Sequence, residues 1–299
     1  MTADKNIFGD PDHLRKLFSK PSDVDSVAVS NFPLGYYQLF LQEIKKLGVE
    51  VLSYKDLFEG SCDWDYESCY RREYENWKES KRDPEKIHLL IQHDVDNYPF
   101  FTKRMVAMEA FYGIKSNIFI FCERYSKRGS DASYEIDHDF FVEAEKRGFV
   151  IGYHQNAFAL SGFDLSKAVE RYREDVNHLR EIYDIQFVVP HGGAGCFVNG
   201  KKILNVDVPM PAEFRGNLRW VFNRYGVRFD QKWSDGGLRK TRDKKRIKGF
   251  DLVKFLHNLK KGSRNFCLVH PQRWGFNIDV NQNPLLAREE WYKDICMSY

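Results

Sequence analysis

The chain has 299 residues, 42% of them hydrophobic, and its 24 Phe, 16 Tyr and 6 Trp can bury a large core, which excludes a disordered protein. A net charge of +3 is a small basic excess for this length and argues against a dedicated nucleic-acid binder. No apolar run approaches the roughly 20 residues of a membrane span.

The opening "MTADKNIFGDPDH" has no basic region followed by an apolar stretch, so no secretory leader is expected. The six cysteines contain no CxxC pair, a distribution that suits reduced thiols and a cytoplasmic location.

In chain order, the first thirty residues are polar and read as a peripheral arm. Tyr37, Phe40, Leu41, Ile44 and Leu47 recur at helical spacing, and Gly48 supplies a stop. The charged, aromatic stretch "DWDYESCYRREYENWKESKRDPEK" leads into the strand "IHLLIQ". "FFTKRMVAMEAFYG" predicts a helix and "NIFIFC" a buried strand. A helix capped by Asp137 and ended by Gly148 precedes the strand "FVIGYH". "DLSKAVERYREDVNHLREIY" is the clearest amphipathic helix, followed by the strand "IQFVVPHGG". The stretch "GVRFDQKWSDGG", a basic loop, the helix "FDLVKFLHNLKKG" and the strand "FCLVHPQRWG" complete the pattern.

This alternation predicts an α/β fold with a mainly parallel sheet. Residues 1–85 read as an N-terminal extension packed on a domain of residues 86–299. Four strands end in histidine, aspartate or both. In parallel α/β barrels such ends line one mouth, where the active site lies. Asp94, Asp96, His154, His191 and His270 are therefore expected to converge.

Asp-x-Asp at a strand end lets one carboxylate bind a cation while the other acts as a base. Oxygen and imidazole ligands with open positions make a hydrolytic metal centre. The bland alternatives are a polar turn at "HDVD", a structural histidine at His154 and a proline-glycine turn around His191. Tyr98, Trp233 and Trp274 lie beside the motifs, where an aromatic face can stack on a sugar or simply fill the core. The basic run Arg239–Lys248 is a solvated loop or an attractor for an anionic group.

"HDVD", "RGFVIGYH", "PHGG", "SDGG" and "LVHP", spread over residues 88 to 275, together resemble the polysaccharide deacetylase superfamily (the NodB-homology fold), nearest its divergent branch in surface-glycan biosynthesis. The resemblance implies a distorted (β/α) barrel of about seven mainly parallel strands and a divalent metal, zinc first, that serves to remove acyl groups from sugars. It also implies a carbohydrate substrate, free, nucleotide-linked, lipid-linked or polymeric. By that likeness Asp94 is the catalytic base and Asp96 a metal ligand, with the swapped assignment open. His154 is a second ligand, and His270 the general acid.

The family's second histidine, four residues after His154, is here Phe158, which leaves the third ligand to Asn156, His191, His93 or water. Asp235, His191 and Trp274 are expected to contact substrate, Asp235 alternatively to orient a catalytic group. The altered positions also admit a catalytically weakened carbohydrate-binding protein of this fold. A same-fold enzyme processing a formamide or carboxamide is a further alternative.

Overall fold

The computed structural model describes residues 34–57, 83–97, 99–123, 134–192, 195–198, 200–221, 229–235 and 252–274. The polar arm, most of the charged aromatic stretch, the basic run Arg239–Lys248 and Tyr98 lie outside the described residues.

Ten strands are described. β1 (Glu50–Leu52), β2 (His88–Val95), β3 (Asn117–Ile120), β4 (Val150–Gln155), β5 (Phe187–Pro190), β8 (Arg219–Trp220), β9 (Gln231–Ser234) and β10 (Arg264–Val269) form one sheet. A separate antiparallel hairpin pairs β6 (Gly195–Val198) with β7 (Lys201–Leu204). The order β8-β5-β4-β3-β2-β10-β9 is parallel throughout and curls into a half-barrel flanked by helices, as the strand–helix alternation leads one to expect.

β2 is the centre of the sheet. Its first six residues pair with β10 on one side, from His88 against Arg264 to His93 against Val269. On its other side β1 covers His88–Leu90 and β3 covers Gln92–Val95. Asn117 joins these two short partners. Its Nδ2 donates to the Ile91 carbonyl at 2.9 Å, and its Oδ1 accepts from the Tyr54 backbone N–H at 2.8 Å. The N-terminal segment thus contributes a strand to the sheet itself.

The helices are α1 (Leu34–Lys46), α2 (Tyr54–Leu57), α3 (Pro99–Phe111), α4 (His138–Lys146), α5 (Ala157–Leu160), α6 (Leu165–Arg180) and α7 (Leu252–His257). Asp137 caps α4 by accepting from the Phe140 N–H at 3.1 Å, and Gly148 beyond its end has φ 94°, as the sequence pattern predicts. Asp164 caps α6 through the Ser166 and Lys167 N–H groups at 3.0 and 3.1 Å.

Side chains alternate across the sheet, so each strand feeds two cores. Leu89 and Ile91 of β2 pack outward with Tyr37, Phe40 and Ile44 of α1 and Leu252, Phe255 and Leu256 of α7. Leu90 points the other way, into a concave core with Phe119, Val150, Phe187, Val189, Phe266 and Tyr54. Gly152 belongs to this inner face. A Cβ there would lie 2.3 Å from a ring carbon of Phe119 and 3.0 Å from the Phe187 carbonyl oxygen, so the glycine is what admits the phenyl ring. The β6–β7 hairpin is the element that the strand–helix alternation does not announce, although "VNGK" is a hairpin-turn signal and Gly200 takes φ 76°.

Gly152→Ala is expected to destabilise the fold by about 1–3 kcal/mol through overpacking against Phe119, and Gly152→Ala with Phe119→Leu to recover part of it. Urea unfolding of the two variants measures both effects.

Candidate metal centre

Asp96 follows the last residue of β2, His154 lies in β4 and His191 directly follows β5. One ligand atom from each falls within a sphere of mutual distances no greater than 4.8 Å. His154 Nε2 is 3.2 Å and His191 Nε2 3.6 Å from the same oxygen, Asp96 Oδ1. Ligands held about 2.0–2.1 Å from a tetrahedral ion stand about 3.4 Å apart, close to the two separations from Asp96 Oδ1. The donor set, one carboxylate and two imidazoles, is also the right chemistry for zinc.

The surroundings hold the imidazoles in place. His154 Nδ1 faces the Val189 carbonyl oxygen at 3.2 Å, which fixes the tautomer and turns Nε2 toward Asp96. The Phe121 ring stacks on His154 at 4.8 Å with 2° between planes and meets His191 edge-on at 5.2 Å. The His191 backbone is tied twice: its N–H donates to the Gln155 carbonyl at 2.7 Å, and its carbonyl accepts from Asn205 Nδ2 at 3.0 Å.

Burial alone would raise the Asp96 pKa, but the hydrogen bond and charge of His154 outweigh it and hold the carboxyl well below the usual carboxylate range. Burial would lower the His154 pKa; the negative charges of Asp94 and Asp96 and the Asp96 hydrogen bond win, and the net shift is upward. Burial and the neighbouring His154 charge push His191 down to about 4, leaving it neutral and ready to ligate at pH 7.

Across the same mouth, Asp235 is fully buried and accepts four hydrogen bonds. His270 Nδ1–H donates at 2.6 Å and the His270 backbone N–H at 2.7 Å, while Arg273 Nη1 and Trp274 Nε1 donate at 3.0 and 3.1 Å. With Nδ1 so held, His270 Nε2 points to Asp96 Oδ2 at 3.9 Å. Burial would lower the His270 pKa; the hydrogen bond and charge of Asp235, with the charges of Asp96 and Asp94, outweigh it and raise it.

The structure brings Asp96, His154, His191 and His270 together, and the β2–β10 pairing ends at His93 against Val269, one residue before Asp94 and His270. Of the two histidines proposed for the third ligand position, His191 is the one within reach of Asp96. Phe158 is packed in the outer core against Phe163, and its N–H donates to Asn205 Oδ1 at 3.1 Å. The same asparagine holds the His191 carbonyl, so the backbone at 158 supports a ligand that its side chain cannot supply.

His93 points away from the mouth, because alternation sends it to the opposite face of β2 from Asp94. There its Nε2 lies 2.8 Å from Glu109 Oε1. The Asn156 Nδ2 donates to the Glu123 carbonyl. Trp274, expected to meet substrate, is fully buried and its indole N–H donates to the equally buried Asp235, whose carboxylate holds His270, the second of the two roles expected of it.

Phe121, Gln92, Asn205 and Gln272 are additions that motif reading missed. Period-two spacing was the available signal for Phe121, two residues after the inward Phe119, and for Gln92, two before Asp94. Gln272 Nε2 approaches Asp96 Oδ2 at 3.4 Å, and its buried Oε1 has no partner among the described residues.

No family model and no curated protein matches the sequence. Among solved structures, a family 4 carbohydrate esterase from Bacillus anthracis is similar to this chain at 11% identity with a TM-score of 0.35, over 81% of this chain and 99% of that one. At that score the functional reading rests on the side chains. Among the described residues, no helix is long and apolar enough to cross a membrane.

His191→Ala and His154→Ala are each expected to weaken zinc binding by tenfold or more, whereas Phe158→Leu leaves it within about twofold. Calorimetry of zinc binding reads both effects. Because the folded protein raises the His154 pKa, wild-type zinc binding at pH 6.5 is expected to release a proton and to weaken as the pH falls further. Titrations in buffers of different ionisation enthalpy count that proton.

Proposed function

We propose that the protein is a metal-dependent hydrolase that removes an acyl group from the nitrogen or oxygen of a modified sugar. The observation that carries this reading is the pairing of an Asp96–His154–His191 ligand set with a carboxylate-held histidine, His270, on the opposite wall of the same mouth. The sugar class comes from the motif resemblance. Its nearest branch suggests work on capsule, O-antigen or other surface glycans in the cytoplasm.

Asp96, His154 and His191 would hold the divalent ion, zinc first. When bound, such an ion polarises an acyl carbonyl and acidifies water. The remaining steps belong to the chain. Asp94, on the inner face of β2, takes a proton from the water that attacks the acyl carbon. A C–O bond forms, and the C–N bond of an amide or the C–O bond of an ester then breaks. His270, whose pKa Asp235 raises, gives its Nε2 proton to the departing amine or alcohol. The products are a free acid and a sugar bearing an amine or hydroxyl. Asp235, Arg273 and Trp274 fix the imidazole and do not touch substrate. A binding protein without catalysis would have no need of this buried four-donor carboxylate behind a mouth-facing histidine.

Zinc-loaded protein incubated with N-acetylated, N-formylated and O-acetylated sugars is expected to release acetate or formate from one class. Asp94→Asn and His270→Ala should each lower kcat by about 10²–10⁴. A protein that retains no zinc, cobalt, nickel or manganese, and whose activity survives Asp96→Ala, would refute the reading.

Asp235→Asn tests the acid. Removing the charge that raises the His270 pKa lowers it, so the alkaline limb of the kcat/KM profile should move to lower pH while the acid limb stays in place.

A further inference from the structure

Asp94 lies on the inner face of β2 with 9% of its surface exposed, and one of its oxygens is held from within the barrel. Gln92, two residues earlier and on the same face, donates from Nε2 to Asp94 Oδ1 at 2.7 Å. The opposite end of that amide is also held, since the Tyr54 hydroxyl donates to Gln92 Oε1 at 2.7 Å. Among the described residues no other side chain hydrogen-bonds the Asp94 carboxylate.

Only one orientation of the amide satisfies both neighbours. Reversed, it would set its oxygen against the carboxylate, and the phenol would be left only the Val221 carbonyl, 3.4 Å away, to donate to. Burial, and then the charge of Asp94, push the Tyr54 phenol well above its ordinary pKa, so it remains a donor. Tyr54 itself is fixed. It is fully buried, its ring packs edge-on to Phe119 at 5.8 Å and beside Phe187 at 5.6 Å, and Asn117 Oδ1 accepts its backbone N–H.

We propose that Tyr54 and Gln92 are positioning residues for Asp94: the segment that precedes the central strand reaches into the barrel and, through one neutral amide, aims the carboxylate at the reacting water. This rests on Asp94 being the base. With Oδ1 held, Oδ2 is the oxygen left to accept the proton. A rotation of the carboxylate that moves it by about 1 Å is enough to cost on the order of 10²-fold in rate.

The test uses the full-length, zinc-loaded chain with Tyr54→Phe, Gln92→Met, the double variant and Asp94→Asn. Initial rates are measured on 4-nitrophenyl acetate, and zinc content and crystal structures are determined for each protein. Tyr54→Phe is expected to lower kcat about tenfold and Gln92→Met about thirtyfold, with KM and zinc content near wild type. The double variant should match Gln92→Met alone, because Tyr54 acts through that amide; a merely structural tyrosine would subtract the same factor in both backgrounds.

Wild-type kcat in both single variants, when Asp94→Asn is inactive, overturns the proposal and leaves the base assignment standing. Wild-type kcat in Asp94→Asn instead removes the base assignment. In every case, an Asp94 side chain that keeps its orientation in the crystal structures of Tyr54→Phe and Gln92→Met overturns the positioning role.

Discussion

Successive side chains of β2 leave the sheet on opposite faces, so His93 and Asp94 can never share a pocket. That single geometric rule organises the centre of the molecule. Leu90, Gln92 and Asp94 belong to the concave interior, whereas Leu89, Ile91 and His93 belong to the layer beneath α1, α3 and α7. On the outer side, the buried Glu109 carboxylate receives the Tyr37 hydroxyl, His93 Nε2 and, at 2.6 Å, the Ser116 hydroxyl. Removing any one donor would leave a buried polar group under-satisfied, so this cluster locks the strand whose other face carries Asp94.

The mouth is built from charges that cannot all be content at once. Asp96 sits low in pKa beside His154, which sits high, and His191 is driven neutral by the same neighbours. Such mutual perturbation concentrated on one spot marks a candidate functional site. The Asp235–His270 pair is arranged differently: its carboxylate is saturated by four donors, so it acts through the imidazole alone.

Much of the architecture was legible because long helices with caps and strands ending in histidine leave strong local signals. Asp137, Asp164 and Gly148 act where their residue types predict. The convergence of His154, His191 and His270 was also legible, since parallel strands must end on one side. What stayed hidden depends on register between distant segments. Nothing local says that Phe158 is outward while His191 reaches Asp96, or that Trp274 hydrogen-bonds Asp235 instead of facing a sugar. Nor does any motif reveal that Glu50–Leu52 pairs with His88–Leu90 and carries Tyr54 inward, because β1 is only three residues long.

The placement of β10 against His88–His93 of β2 has a temporal consequence. At a synthesis rate of about 5–20 residues per second, β2 waits roughly 10–35 s for its partner to leave the ribosome. During that interval one edge of its most apolar segment, Leu89–Ile91, has no strand to pair with. The nascent chain thus carries an open sheet edge of the kind that holding chaperones cover. His270, which follows the last strand of the sheet, can join Asp96 only once that edge has closed.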